Sequence, residues 1–204
     1  MAPKLASHND QIEGRRELIL RSTLRVIAEE GVGAVTHRRV AKVANVPLGS
    51  TIYYFDSRLH LLREAFDYYL ALSTAAYETV NRSLIVNNIN DLVDFVVTLN
   101  ERQYAGAPLL LAEYELTLFA ARDPEIAKSL HRWDELAVTH MARHLKALNL
   151  AEPQSAARDV IHLIRGYELE RLSYHKPDTE KLRKSLTRIL TTLTSPEANT
   201  ESQK

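Results

Sequence analysis

Residues 36–55 read THRRVAKVANVPLGSTIYYF, and this stretch decides the fold. Thr36 is a good N-cap for a short helix carrying Val40, Ala41 and Val43. Asn45 tolerates the left-handed conformation of a tight turn. Pro47 has a fixed φ that suits the opening of a second short helix, running through Thr51 to Tyr54. Two short helices joined by a tight turn make a helix-turn-helix. Val40, Ala41, Val46 and Ile52 are expected to face inward, with Ala41 small enough for a close approach. That leaves Leu48, Gly49, Ser50, Thr51 and Tyr53 as the outward positions of the second helix. These residues are mostly small or hydroxylated, and such a surface can enter a DNA major groove. Free amides at a helix N-terminus also favour phosphate.

Outward from this stretch, the charge is uneven. Residues 1–63 hold ten Lys/Arg and six Asp/Glu, a net of +4, while the remaining 141 residues hold 16 and 20, a net of −4. A basic head on an acidic body suits an anionic partner at one end, although an imbalance this small also arises by chance. The 204 residues are 45% hydrophobic and 25% charged, an ordinary globular composition. No apolar run approaches the roughly 18 residues a membrane span needs, so no membrane partner is expected. MAPKLASHND has no apolar signal core, so a cytoplasmic location is expected. The chain has no cysteine, which excludes disulfides, thiolate zinc fingers, Fe–S clusters and a Cys nucleophile.

Helical spacing runs through the rest of the chain. Gln11 to Glu30 carries Ile12, Leu18, Ile19, Val26 and Ile27, and Gly31 supplies a stop. Ser57 caps a longer helix with Leu62, Phe66, Tyr69, Leu70, Ala76, Tyr77 and Val80 on its face. Asn87, Asn88 and Asn90 break that pattern before a helix with Leu92, Phe95, Val96 and Leu99. Gly106 and Pro108 precede 109–122, which is apolar on more than one side. Asp123-Pro124, Pro153 and Asp178 open three further helices. The expected class is all-α, about nine helices with no strand. An N-terminal three-helix helix-turn-helix domain is followed by a C-terminal helical domain for ligand binding and dimerisation. The expected division is 1–56, 57–194 and a polar, disordered tail at 195–204.

The head resembles the N-terminal domain of the tetracycline-repressor (TetR) family of transcriptional regulators. Gly31, Thr36, Arg38, Val40-Ala41, Val46, Gly49, Tyr54-Phe55, Ser57 and Leu61-Leu62 carry the resemblance, across roughly residues 11–66. Glu113-Tyr-Glu-Leu and Ala120-Ala-Arg-Asp-Pro124 are also similar to sequences in some members. The resemblance implies that Thr36 touches phosphate, that Arg38 reaches a base edge and that Arg58 sits where a phosphate-binding cation is common. Arg39 and Lys42 add electrostatic contact, or Arg39 is simply a solvated surface residue. Ser50 and Thr51 are expected at bases or thymine methyl groups. Many members have Tyr at the position of Ile52, where it touches a phosphate; Tyr53 or Tyr54 is expected to replace that contact.

The resemblance also implies a repressor that binds a palindromic operator in double-stranded DNA as a homodimer and is released by an unknown small molecule. In that mechanism the ligand tilts the fourth helix and separates the two DNA-binding heads. Candidate pocket residues are Phe66, Tyr69, Tyr104, Glu113, Tyr114, Thr117, Trp133, His140 and His144, polar or aromatic groups amid apolar surface. The dimer stripes are Val160, Ile161, Ile164 and Tyr167, and Leu186, Ile189, Leu190 and Leu193; the alternative is that they face only their own core. His140 and His144 have the spacing of metal ligands but lack a further ligand motif, so no metal is expected. Glu113 and Glu115 point apart on a helix and make a poor acid/base pair. With no phosphate loop, Gly-x-Ser-x-Gly elbow, His-Glu-x-x-His or dinucleotide fingerprint, neither an enzyme nor a cofactor is expected. The competing reading is a helical interaction module or ligand-binding protein that has lost DNA.

Overall fold

Gly31 ends the first helix because the chain needs a positive φ there: at 83° it adopts a backbone that side-chain-bearing residues avoid, while its N–H still donates to Ile27 O at 2.9 Å. The structure, a computed structural model, describes residues 8–81, 84–105, 107–174 and 178–194. Among these, nine α-helices and no strand occur. They are α1 (His8–Glu30), α2 (His37–Ala44), α3 (Leu48–Tyr54), α4 (Arg58–Asn81) and α5 (Ile89–Ala105), then α6 (Ala107–Ala120), α7 (Pro124–Ala147), α8 (Pro153–Tyr174) and α9 (Thr179–Thr194). A 3-10 turn at Val32–Ala34, which periodicity did not reveal, joins α1 to α2. The expected tail at 195–204 lies outside the described residues.

The helix boundaries follow local chemistry. Thr36 Oγ1 accepts the Arg39 N–H at 3.1 Å, the expected cap. Asn45 is left-handed with φ 53°, closing α2 and turning the chain toward α3. The Ser57 hydroxyl accepts the His60 N–H at 3.1 Å, and Asp123 accepts that of Ile126 at 3.0 Å. Asn88 caps α5 through the Asp91 N–H at 3.1 Å. Asn149 is a second left-handed residue, φ 62°, where the chain leaves α7.

The described residues form two compact units. The first comprises 1–75 and 108–130; the second comprises 76–107 and 131–204. The first has a core of Ile19, Leu20, Leu24, Ile27, Val35, Val40, Phe55, Leu61, Leu62 and Phe66, among others. The Arg16 guanidinium lies 5.6 Å from the Phe55 ring centroid and also pairs with Glu64, bringing α1 and α4 together over that ring. In the second unit Leu92, Val96, Met141, Leu145, Val160, Leu186 and Leu190 belong to one apolar cluster. A polar set is buried in this unit: Asn100 donates to Glu168 at 3.0 Å and accepts from Arg171. Asn100 thus supplies both charged side chains with a partner, which buried charges require.

Candidate nucleic-acid interface

The first unit sets out α2 and α3 through short polar connections. Arg58, at the start of α4, donates to Val35 O at 2.8 Å and Val32 O at 2.7 Å. These carbonyls belong to the turn that leads into α2, where Val32 O also accepts the Val35 N–H at 3.4 Å. Glu115 on α6 accepts the Val32 N–H at 3.1 Å, tying the same turn from the other side. Arg39 donates to Glu30 through Nε at 2.8 Å and also through Nη2. That hydrogen bond holds the Glu30 carboxyl below, and the Arg39 guanidinium above, its ordinary pKa. Arg58, expected at a phosphate, also holds the turn through Nε and Nη2. Arg39 braces α2 against the end of α1.

Arg38 and Lys42 lie four residues apart on α2, and both are exposed. Among the described residues neither takes part in an ion pair. Thr36 is exposed beside them and already accepts its capping hydrogen bond.

On α3 the structure corrects one pair of expectations. Thr51, expected to face outward, is fully buried, and its hydroxyl donates to Leu48 O at 2.8 Å. Ile52, expected to face inward, is 53% exposed. In a helix successive side chains sit about 100° apart, so turning Thr51 toward α2 swings Ile52 out. Thr51 tolerates burial because its hydroxyl is satisfied by the preceding turn. Leu48 and Tyr53 are 39% and 79% exposed; Gly49 is exposed, Ser50 and Tyr54 half-buried. The Tyr53 and Tyr54 rings meet edge-on at 5.1 Å. The outward surface is thus Leu48, Gly49, Ile52 and Tyr53, with Ser50 at its margin.

The nine candidate effector residues fall in both units. In the first, Phe66 is buried and the Tyr69 hydroxyl donates to the buried Glu113. Tyr114 and Thr117 are half-buried, and Thr117 Oγ1 has no hydrogen-bond partner although the atom is buried. In the second, His140 stacks on Tyr77 with 5.0 Å between centroids and 11° between planes. His144 Nε2 lies 2.8 Å from Asn81 Oδ1. Burial holds both imidazoles below the usual histidine range, aided by the Arg143 charge, with Glu78 opposing it at His140. Burial also pushes the Tyr77 phenol up to about 12. Trp133 lies under the Arg165 guanidinium, 5.1 Å from its centroid. Tyr104 lies outside the residues whose side chains are described. An open groove of about 450 Å³ in the second unit is lined by Asn88, Ile89, Asn90, Leu148 and threonines of α9, and by none of the nine. No group of three or more His, Asp or Glu arranged to hold a metal occurs among the described residues.

Four of the eight residues expected in the dimer stripes need correction as well. Val160, Tyr167, Leu186 and Leu190 are buried in the chain's own core, because they are the faces by which α8 and α9 pack into their unit. Ile161, Ile164, Ile189 and Leu193 are half-buried. Leu169, which the periodicity did not single out, is 53% exposed.

The comparisons with known proteins agree with this architecture. Residues 19–65 match the family described as bacterial regulatory proteins, tetR family, and residues 88–193 match the tetracyclin repressor-like C-terminal domain. The Streptomyces coelicolor A3(2) protein SCO7518 is 31% identical, with a TM-score of 0.70 over 87% of this chain and 98% of its own. SCO1917 of Streptomyces coelicolor A3, a member of the TetR family, is 27% identical, with a TM-score of 0.67 over 86% of this chain and 97% of its own. The multidrug binding protein EbrR, solved with imidazole, is 26% identical, with a TM-score of 0.65 over 93% of this chain and 97% of its own; it is also known with proflavin and ethidium. No curated protein matches the sequence. The chain belongs to the TetR family of transcriptional regulators, with a DNA-binding helix-turn-helix in residues 19–65 and the family's helical C-terminal domain in residues 88–193.

Proposed function

We propose that the protein is a ligand-responsive repressor that binds a palindromic operator as a homodimer and is released by a small molecule. The observation that carries this reading is the outward surface of α2 and α3. Arg38 and Lys42 stand exposed outside any ion pair among the described residues, next to a face of side chains that the head leaves uncovered. Arg38 is assigned to a base edge, where its fork suits guanine O6 and N7. Thr36, Lys42 and Tyr53 are assigned to the backbone phosphates, Tyr54 to their margin. The functional division is taken as 1–56 for DNA and 57–194 for ligand and partner.

A single head reads only a few base pairs, so affinity and a two-fold site require two. Ile161 and Leu169 lie eight residues apart on one face of α8, and Ile189 and Leu193 one turn apart on α9. We assign the second copy to this surface in place of the buried stripe.

For the effector, the supporting feature is the buried polar set Tyr69, Glu113 and Thr117. Glu113 and Thr117 are one turn apart on α6, and the Thr117 hydroxyl is buried without a partner. Such a hydroxyl costs free energy until a ligand or water satisfies it. EbrR takes flat aromatic ligands, and a planar molecule with a polar edge fits this chemistry. Release follows only if the ligand prefers the conformation that does not fit DNA.

The test is duplex binding by the intact protein, using DNA selected from a random pool, in low salt. Binding is expected, and Arg38→Ala should weaken it by about 1–3 kcal/mol and relax preference at one position. Adding proflavin or ethidium to the protein without DNA, since both intercalate into a duplex, should raise its melting temperature. Absence of binding to every duplex would refute the regulatory reading.

A further inference from the structure

The outward face of α3 has an unusual chemistry for a surface meant to read DNA. The helix reads LGSTIYY and carries no Arg, Lys, Asn, Gln, Asp or Glu, the side chains that read base edges through paired hydrogen bonds. With Thr51 turned inward, Leu48 and Ile52 stand out on the same side, one turn apart. Nothing among the described residues accounts for them: exposed Ile lowers helix propensity, and leaving Leu and Ile in water forfeits their burial. Gly49, beside Leu48, is equally unaccounted for. Its φ is not positive, and a Cβ added there would meet nothing within 4 Å.

We propose that Leu48 and Ile52 read thymine methyl groups in the operator, and that Gly49 keeps the backbone low enough for both to reach them. This inference rests on the DNA-binding reading above. In the major groove the 5-methyl of thymine is the apolar feature of the base edges; guanine, adenine and cytosine present acceptors and donors. Covering those polar edges with Leu or Ile would strip water without replacing its hydrogen bonds, which is unfavourable. The same side chains against a methyl group gain contact and lose nothing. Leu48 and Ile52 are about 6 Å apart along the helix axis, close enough for both to act within one half-site. Arg38 and Lys42, exposed on the neighbouring helix, supply the charge that holds this apolar face against a polyanion.

The experiment uses intact protein and a duplex selected by it from a random pool. Each thymine is replaced in turn by uracil, which keeps the pairing edge and O4 and lacks only the methyl. One or two positions per half-site should then bind about fourfold more weakly, the value of one buried methyl group. Ile52→Ala should bind thymine and uracil duplexes equally at one of those positions, and Leu48→Ala at the other. Both side chains are exposed, so circular dichroism and melting should match the parent. Uracil substitution without effect, or with the same effect in parent and both variants, overturns the inference while leaving DNA binding intact. Failure to bind any duplex overturns the regulatory reading and this inference together.

Discussion

Gly49 separates what folding wants from what DNA wants. An exposed helical glycine that needs neither a positive φ nor close packing is less stable than alanine there by about 0.5–1 kcal/mol. Gly49→Ala should therefore raise the midpoint of urea unfolding and, at the same time, weaken duplex binding. A variant gaining both stability and affinity would show that the glycine has no role at the groove. Neighbouring Thr51 and Ile52 show where sequence legibility ends. Both are β-branched and either can face inward, and a seven-residue helix has too few turns for periodicity to fix its rotation. The Thr51 hydroxyl permits its burial by satisfying itself on Leu48 O. The hold of Arg58 on the turn was illegible for a different reason: its partners are backbone carbonyls 23 and 26 positions away, and side-chain spacing does not display them.

At the scale of the helices, chemistry that acts over three or four residues was readable. Thr36, Asn45, Ser57 and Asp123 act as sequence marked them, because caps and turns depend on immediate neighbours. Contacts between distant helices were not. Tyr77 and Asn81 of α4 meet His140 and His144 of α7 in a stack and a hydrogen bond that no spacing announces. That contact has a pH signature. Both imidazoles are held below the ordinary histidine value, so as pH falls below about 6.5 the unfolded chain takes up protons that the folded chain refuses. Their contribution is fully present above that pH and is lost progressively toward the lower folded values. Urea unfolding measured from pH 8 downward should show falling stability through this window, and the double change His140→Gln, His144→Gln should flatten that part of the curve. An unchanged profile in the double variant would place the acid sensitivity elsewhere. Asn100 offers a second check at this scale. Asn100→Leu removes a partner from both Glu168 and Arg171 and should cost about 3 kcal/mol.

At the scale of the whole molecule, the overall balance of charge conceals the basic head, which carries +4 against −4 elsewhere. Affinity for duplex DNA should accordingly fall by at least about a hundredfold between 50 and 200 mM salt. The all-α class was legible because helical spacing recurs throughout the chain. The open side of α8 was not, since an apolar stripe looks the same whether a chain's own core or a second copy covers it. Val160 and Leu186 belong to the core and Leu169 does not. Leu169→Asp is therefore expected to leave the helical circular dichroism spectrum unchanged while sedimentation shifts from dimer to monomer. A dimer that survives the change would move the partner surface away from α8.

The division of the first unit into residues 1–75 and 108–130 has a consequence for how the protein is made. The Val32 amide finds its carboxylate on Glu115, and the Tyr69 phenol finds Glu113. A nascent chain leaving the ribosome emits the groove-binding helices early, yet the struts that steady them emerge tens of residues later. Until then the head lacks those two hydrogen bonds, and its final form waits for the middle of the polypeptide to be synthesised.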